Sequence, residues 1–198
     1  MPADLPSAIL AHLELSAWAL GIAAALALPL GVYASYSGAL RGAIVGLAGV
    51  GRTLPSLAVL AFMLPFLGVG FVPAVVALTL LAIPPIVIAT DIGLRGVSAA
   101  AIDAARGMGM SELQTFARIR WPLALPTILD GLRIAAIEVI ASATLATFIG
   151  AGGLGDIIVR GLQTDDASLL YYGAITVALL ALCVEVFGVL LARRRNLA

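Results

Sequence analysis

The sequence predicts an all-α integral membrane protein with five transmembrane helices. Three observations carry that expectation. Hydrophobic residues make up 62% of the 198 residues and charged residues only 11%, against about 45–50% and about 25% in soluble domains. The 62% leaves out 21 glycines. Such a chain has too few charges to clothe a water-exposed surface. Apolar runs long enough for a crossing, about 20 residues, recur along it. No ten-residue alternation of apolar and polar side chains marks a β-barrel, and helices satisfy their own backbone groups in lipid. An ordinary soluble enzyme, a disordered protein and a nucleic-acid-binding protein are excluded. One domain, residues 1–198, with little mass outside the membrane is expected.

The first span runs from about Ser16 to Tyr36, after an interfacial stretch around Ile9–Leu15. The second covers about Ala43–Leu67 and is broken near Arg52-Thr53-Leu54-Pro55. The third is about Val72–Leu94, with Pro84-Pro85 in its middle; the fourth is about Pro126–Gly150; the fifth is about Leu169–Ala192. Prolines 29, 55, 65, 84 and 85 remove backbone donors and invite kinks. Two readings stay open for them, structural kinks in a passive bundle or breaks whose carbonyls line a cavity. The start, Met1-Pro2-Ala3-Asp4, lacks a basic n-region, so neither cleavage nor lipidation is expected.

Net charge is zero and every basic residue is arginine. Arg41, the group Arg95, Arg106, Arg118 and Arg120, and the run Arg193-Arg194-Arg195 fall on one side of five crossings. The other side holds Asp4, Glu14, Asp156, Asp165 and Asp166, with Arg160 alone. Arginine is retained on the cytoplasmic side, so the N-terminus is expected outside and the C-terminus inside. Trp18, Tyr33, Tyr36, Tyr171 and Tyr172 fall near proposed span ends, as interfacial aromatics do.

The loop of about 95–125 is the most informative segment. Ser98 caps a helix over Ala99–Gly107, which Gly107 and Gly109 end. Ser111-Glu112-Leu113-Gln114 is a capping box that opens a second helix, stopped by Pro122. Its apolar residues Ile102, Met108, Leu113, Phe116 and Ile119 fit a docking surface. They also fit a loop folded back on its own span ends.

Asp103-Ala104-Ala105, three residues, Gly109, nine residues and Ile119-Arg120-Trp121-Pro122 resemble the EAA motif of binding-protein-dependent ABC importers, E-A-A-x3-G-x9-I-x-L-P. Asp103 stands where glutamate is usual and Trp121 where leucine is. Arg52-Thr53-Leu54-Pro55-Ser56-Leu57 and Phe148-Ile149-Gly150-Ala151-Gly152-Gly153-Leu154-Gly155-Asp156 are similar to segments of the osmoprotectant permeases. Methionine-type permeases share the glycine segment, while Val159-Arg160-Gly161-Leu162 and Tyr172-Gly173-Ala174-Ile175 favour the glycine betaine/carnitine/choline branch.

The resemblance implies a type I importer permease fold with a cytoplasmic coupling helix, in a bacterial cytoplasmic membrane. It implies Asp103, Ala104, Ala105, Met108 and Gly109 as contacts with an ATPase. The expected partners are a second permease subunit, identical or related, two ATPase subunits, an external substrate-binding protein and the bilayer. No nucleic acid partner is expected. ATP and Mg would be bound by the ATPase, because a Walker A sequence cannot occur in a chain without lysine. The alternatives are a permease for methionine or another small amino acid, and a channel or scaffold without an ATPase.

Other features carry less. Gly150–Gly155 fits G-x-G-x-x-G, but a membrane helix precedes it and nucleotide binding is rejected. His12, the only histidine, is expected at the outer interface, and no catalytic or metal site is found. Cys183 reads as an apolar filler. Asp130 and Arg133, three apart, read as a local pair. Glu138, with Ser142 one turn on, either faces a translocation path or bonds to a neighbouring helix. Asp91 and Glu185 have no assigned role.

Overall fold

A computed structural model describes residues 4–195, with side chains for 4–190. Met1–Ala3 and the side chains of Arg193, Arg194 and Arg195 lie outside the described residues. The chain runs through α1 (Leu5–Tyr36), α2 (Arg41–Gly51), α3 (Ser56–Leu67), α4 (Phe71–Arg95), α5 (Ala99–Gly107), α6 (Glu112–Thr115), α7 (Trp121–Ala143), α8 (Leu154–Gln163) and α9 (Ala167–Arg195). A π-helical turn, Phe116–Arg120, joins α6 to α7, and a 3₁₀ segment, Thr144–Ile149, follows α7. The described residues contain no strand.

Among the described residues, four helical stretches are long and apolar enough to cross a membrane: α1, α4, the run Glu112–Ile149, and Ala167–Leu190 of α9. The helices α2 and α3 qualify only as a pair, bent by 99°. That break is where the sequence puts it. Pro55 has no N–H and biases Leu54 away from helical backbone. Thr53 N–H and its hydroxyl both donate to Val50 O, and Leu54 N–H donates to Gly51 O.

The central element is α4, against which α1, α2, α3 and α7 all pack. The face of α1 that meets it is made of small residues, Ala19, Ala23, Ala27 and Gly31, all buried. In membranes such residues let helix backbones approach closely. A Cβ at Gly31 would lie 2.5 Å from Thr90 Cβ and 3.0 Å from the Val87 carbonyl. The same layer is tied by a hydrogen bond from the Thr79 hydroxyl to Ala19 O (3.3 Å).

The sequence expectation needs correction at three places. First, α1 begins at Leu5, not near Ser16, and spans 32 residues. At 1.5 Å per residue it is about 48 Å long, more than the bilayer core. Pro6 fits its first turn, and its buried face continues through Leu5, His12 and Leu15, so nothing ends it early. Trp18 therefore lies near the middle of α1 rather than at its end.

Second, Pro122 does not stop the helix that starts at Glu112. The turn before it widens to π geometry, with Trp121 N–H donating to Phe116 O. The wide turn accommodates the missing donor and the proline ring, so one helical run of 38 residues continues to Ile149.

Third, His12 is fully buried rather than interfacial. Its Nε2–H donates to Ile140 O (3.0 Å). The tightening to 3₁₀ explains the available acceptor, because Thr144 N–H turns to Ala141 O and leaves Ile140 O free.

Two ends result. Tyr36, Arg41, Asp91 and the 95–125 loop share one end, where Arg41 pairs with Asp91 and the Arg120 guanidinium lies over the Tyr36 ring. The opposite end brings together Asp4 with Arg160, and Gly70 with Ile149. Replacing Gly31 by leucine should overpack the α1–α4 contact and cost about 1–3 kcal/mol. It should lower the thermal unfolding midpoint in detergent; an unchanged midpoint would contradict this packing.

Candidate functional site

The 95–125 loop is built by local capping. Ser98 Oγ accepts from Ala101 N–H at the start of α5. At its end Gly109 N–H donates to Arg106 O (2.9 Å) and Met110 N–H to Ala105 O (3.1 Å). That pair of bonds around a left-handed residue is a Schellman motif. Gly109 has φ +80°, a backbone that other residues rarely adopt. The second helix opens with a complete capping box. Ser111 Oγ accepts from Gln114 N–H and Gln114 Oε1 accepts from Ser111 N–H. Arg106 bridges the turn to Glu112 Oε1 at 2.8 Å.

The loop is fixed to the spanning helices through its second half. Phe116 lies between Tyr36 and Trp121, with ring centroids 6.3 and 5.8 Å away. The Arg120 guanidinium sits 4.4 Å above the Tyr36 ring and donates to Leu94 O. The two readings of this loop therefore each describe half of it. Phe116 and Ile119 fold back, half-buried, onto the helix ends. Met108 and Leu113 stay free, 69% and 76% exposed. Asp103 and Ala104 are exposed beside them, whereas Ala105 is fully buried within the loop.

Charged side chains on the spanning helices sort themselves by partner. Asp130 and Arg133 pair locally at 3.1 Å, as their spacing suggests. Arg133 also reaches Glu185 on α9 at 3.3 Å. Asp91 is fully buried and takes a forked contact from Arg41: Nε at 3.0 Å to both oxygens and Nη2 at 2.7 Å to Oδ2. No local spacing reveals the Arg41–Asp91 and Arg133–Glu185 pairs, whose members stand 50 and 52 residues apart. The one usable signal was the general rule that an acid inside the bilayer takes a partner.

Glu138 and Ser142 separate. Glu138 is half-buried at the edge of the exposed strip of α7 that carries Ile134 and Ala141. Ser142, one turn on, is turned into the packed side. Neither Glu138 nor Arg52 has an ion partner within 4.0 Å among the described residues. Arg52 is exposed at the break between α2 and α3. Sequence reasoning passed over Arg52, which stood only as part of a motif. No group of three or more potential metal ligands occurs among the described residues.

A bundle of spanning helices, one of them broken, with a capped two-helix loop at one end, defines a multi-pass membrane protein. The chain belongs to the family described as binding-protein-dependent transport system inner membrane component, whose profile matches residues 16–197. It is 45% identical over 174 residues to the carnitine transport permease protein OpuCB of Listeria monocytogenes, covering 88% of this chain and 80% of that protein. It is 40% identical, with the same coverage, to the glycine betaine/carnitine/choline transport system permease protein OpuCB of Bacillus subtilis. The choline transport system permease protein OpuBB of the same organism is also 40% identical, with that coverage. Among solved structures the chain superposes on an inward-facing conformation of the MetNI methionine ABC transporter. The TM-score is 0.85 over 96% of this chain and 95% of that one, at 22% identity. That likeness concerns the type I permease fold.

Two glycines in the loop should respond oppositely to alanine. Gly109→Ala forces a left-handed alanine and should cost roughly 1 kcal/mol. Gly107→Ala, in helical backbone with no atom within 4 Å of the added Cβ, should stabilise by about 0.4–1 kcal/mol. Hydrogen exchange of the α5 amides reads both; equal shifts would refute the Schellman cap.

Proposed function

We propose that this chain is the permease subunit of an ABC importer in a bacterial cytoplasmic membrane, and that its cargo is a quaternary-ammonium osmoprotectant. The observation that carries the transport reading is the 95–125 loop, rigidly capped and pinned yet exposing Asp103, Ala104, Met108 and Leu113. Small and apolar side chains around one free carboxylate suit a groove in a partner that offers donors. Asp103, Ala104, Met108 and Leu113 touch the ATPase. Ala105 and Gly109 act through shape, one filling the loop's interior and the other closing its turn. The cargo reading draws on relatives named for carnitine, choline and glycine betaine.

In this reading the arginine-rich end is cytoplasmic, with the N-terminus outside. One bundle does not enclose a path with alternating access, so two permease subunits assemble, each with an ATPase below it. ATP binding and hydrolysis occur in those ATPases. Their closure draws the two loops together and shifts the spanning helices between inward and outward states. An external binding protein delivers the cargo, and cation–π cages for quaternary ammonium belong there. Glu138 lines the path.

Ala104→Trp tests the docking surface, because Ala104 is exposed and the bulk need not disturb the fold. The expected result is a protein of normal yield and melting behaviour that no longer co-purifies with its ATPase. Glycine betaine uptake should fall at least tenfold. Retained docking and uptake would overturn the assignment of the loop.

A further inference from the structure

We propose that the groove between the end of α1 and the start of α7 binds a phospholipid with an anionic headgroup, its acyl chain along α1 and its phosphate at Arg120. Only the side of the membrane is taken from the importer reading above, in which this end is cytoplasmic.

The shape of the groove comes first. It encloses about 680 Å³ between α1 and the π turn that leads into α7. Its deep end is aliphatic, with Leu28, Pro29 and Val32 of α1. Toward the end of α1 its walls become aromatic, with Tyr33 and Tyr36 opposite Phe116 and Trp121. Both tyrosines are exposed, so the groove opens on the outer surface of the subunit. From Leu28 to Tyr36 is about 12 Å of helix, close to half of a hydrocarbon core of about 30 Å. The groove therefore runs from the level of the headgroups, where aromatic rings settle, into the apolar interior of one leaflet.

Charge comes second. The Arg120 guanidinium lies 4.4 Å above the Tyr36 ring, at the outer end of the groove. It donates to Leu94 O at 3.4 Å, and its Nε is buried without a hydrogen-bond partner. No acid lies within 4.0 Å of it among the described residues. Asp91 and Glu112, two acids of this end, are already paired with Arg41 and Arg106. Arg120 is only half-buried, so an anion from outside the chain can approach it. Arg118, next in sequence to the lining residue Ala117, is exposed and also lacks an ion partner among the described residues.

The occupant follows from the two ends together. A soluble ATPase on the 95–125 loop does not reach Leu28 within the spanning helix. A purely apolar occupant fills the deep end and leaves Arg120 unanswered. An anionic phospholipid meets both, with a tail for the aliphatic end and a phosphate for the guanidinium. The cytoplasmic leaflet supplies such lipids at the depth where the arginine stands.

The test is native mass spectrometry of the full-length permease, purified with the subunits that accompany it. Phosphatidylglycerol and phosphatidylethanolamine are added to the detergent at equal concentration. The unmodified protein should retain at least fivefold more of the first than of the second. Arg120→Gln should bring that ratio below twofold, whereas Arg120→Lys, which keeps the charge, should hold it above threefold. Ala117→Trp, which fills the groove from an exposed position, should lower retention of both lipids at least fivefold at an unchanged melting midpoint. Arg95→Gln, which removes an exposed arginine of the same end outside the groove, should leave the ratio as it is. Equal retention of the two lipids by the unmodified protein would overturn the site. So would an unchanged ratio in Arg120→Gln, or an equal fall in Arg95→Gln, the mark of diffuse attraction to the whole surface. Dissociation of a permease dimer by Ala117→Trp, with phosphatidylglycerol still retained, would overturn it and give the groove to a second copy of the chain. The readout involves neither ATP nor cargo. A transporter that moves no osmoprotectant would therefore overturn the importer reading and leave the lipid site standing.

Discussion

Hydrocarbon offers a peptide group no hydrogen-bond partner, and the architecture follows from how this chain meets that constraint. Where a span is interrupted, something local supplies the missing bond. At Pro55 the chain bends sharply, and Thr53 and Leu54 return their N–H groups to Val50 and Gly51. Before Pro122 a single π turn absorbs the proline without ending the helix. At Thr144 the helix tightens instead, and the Ile140 carbonyl it releases is taken by His12 from another helix. Breaks of this kind cost least where a neighbour is already packed, and each of the three lies against α1, α4 or α7.

The same medium sorts the charges. A lone charge among lipid tails is expensive, so the acids on α4 and α9 draw arginines from segments far away in sequence. Arg41 fastens the start of α2 to the end of α4 through Asp91, and Arg133 fastens α7 to α9 through Glu185. The first clasp lies at the arginine-rich end, and the second lies just past the Gly131–Pro85 approach, near the middle of the bundle. Glu138, further along α7, has no such clasp.

Composition made the class legible, and apolar runs located the spans to within a turn or two, except where the run Glu112–Ile149 begins and at the start of α1. There the sequence holds polar Glu14 and His12, which look like an interface. The helix nevertheless runs on, because His12 finds the Ile140 carbonyl and Glu14 points outward. The caps at Ser98 and Ser111 were legible because capping is a short-range matter of spacing. Pro122 misled for a complementary reason: it signals a stop by removing one bond, but a π turn several residues long can restore continuity. Ion pairs across 50 residues and the burial of Ala105 depend on tertiary packing, which no local pattern encodes.

The misread proline has a mechanical consequence. Had the helix stopped at Pro122, the docking loop would hang from α7 by a hinge, and movement of a partner would dissipate there. Instead Glu112–Ile149 is one helical run. It carries exposed Leu113, Phe116 and Arg120 against Tyr36, Arg133 beside Glu185 of α9, and Glu138 two turns beyond the Gly131 contact. A helix transmits displacement along its axis with little compression, because each backbone bond is shared with the next turn. A push on Leu113 therefore reaches Glu138 through covalent structure. The Phe116–Tyr36 and Arg120–Tyr36 contacts carry the same push into α1. In the proposed importer this run is the route by which a displacement of the loop would be carried past the α4 contact at Gly131 toward Glu138.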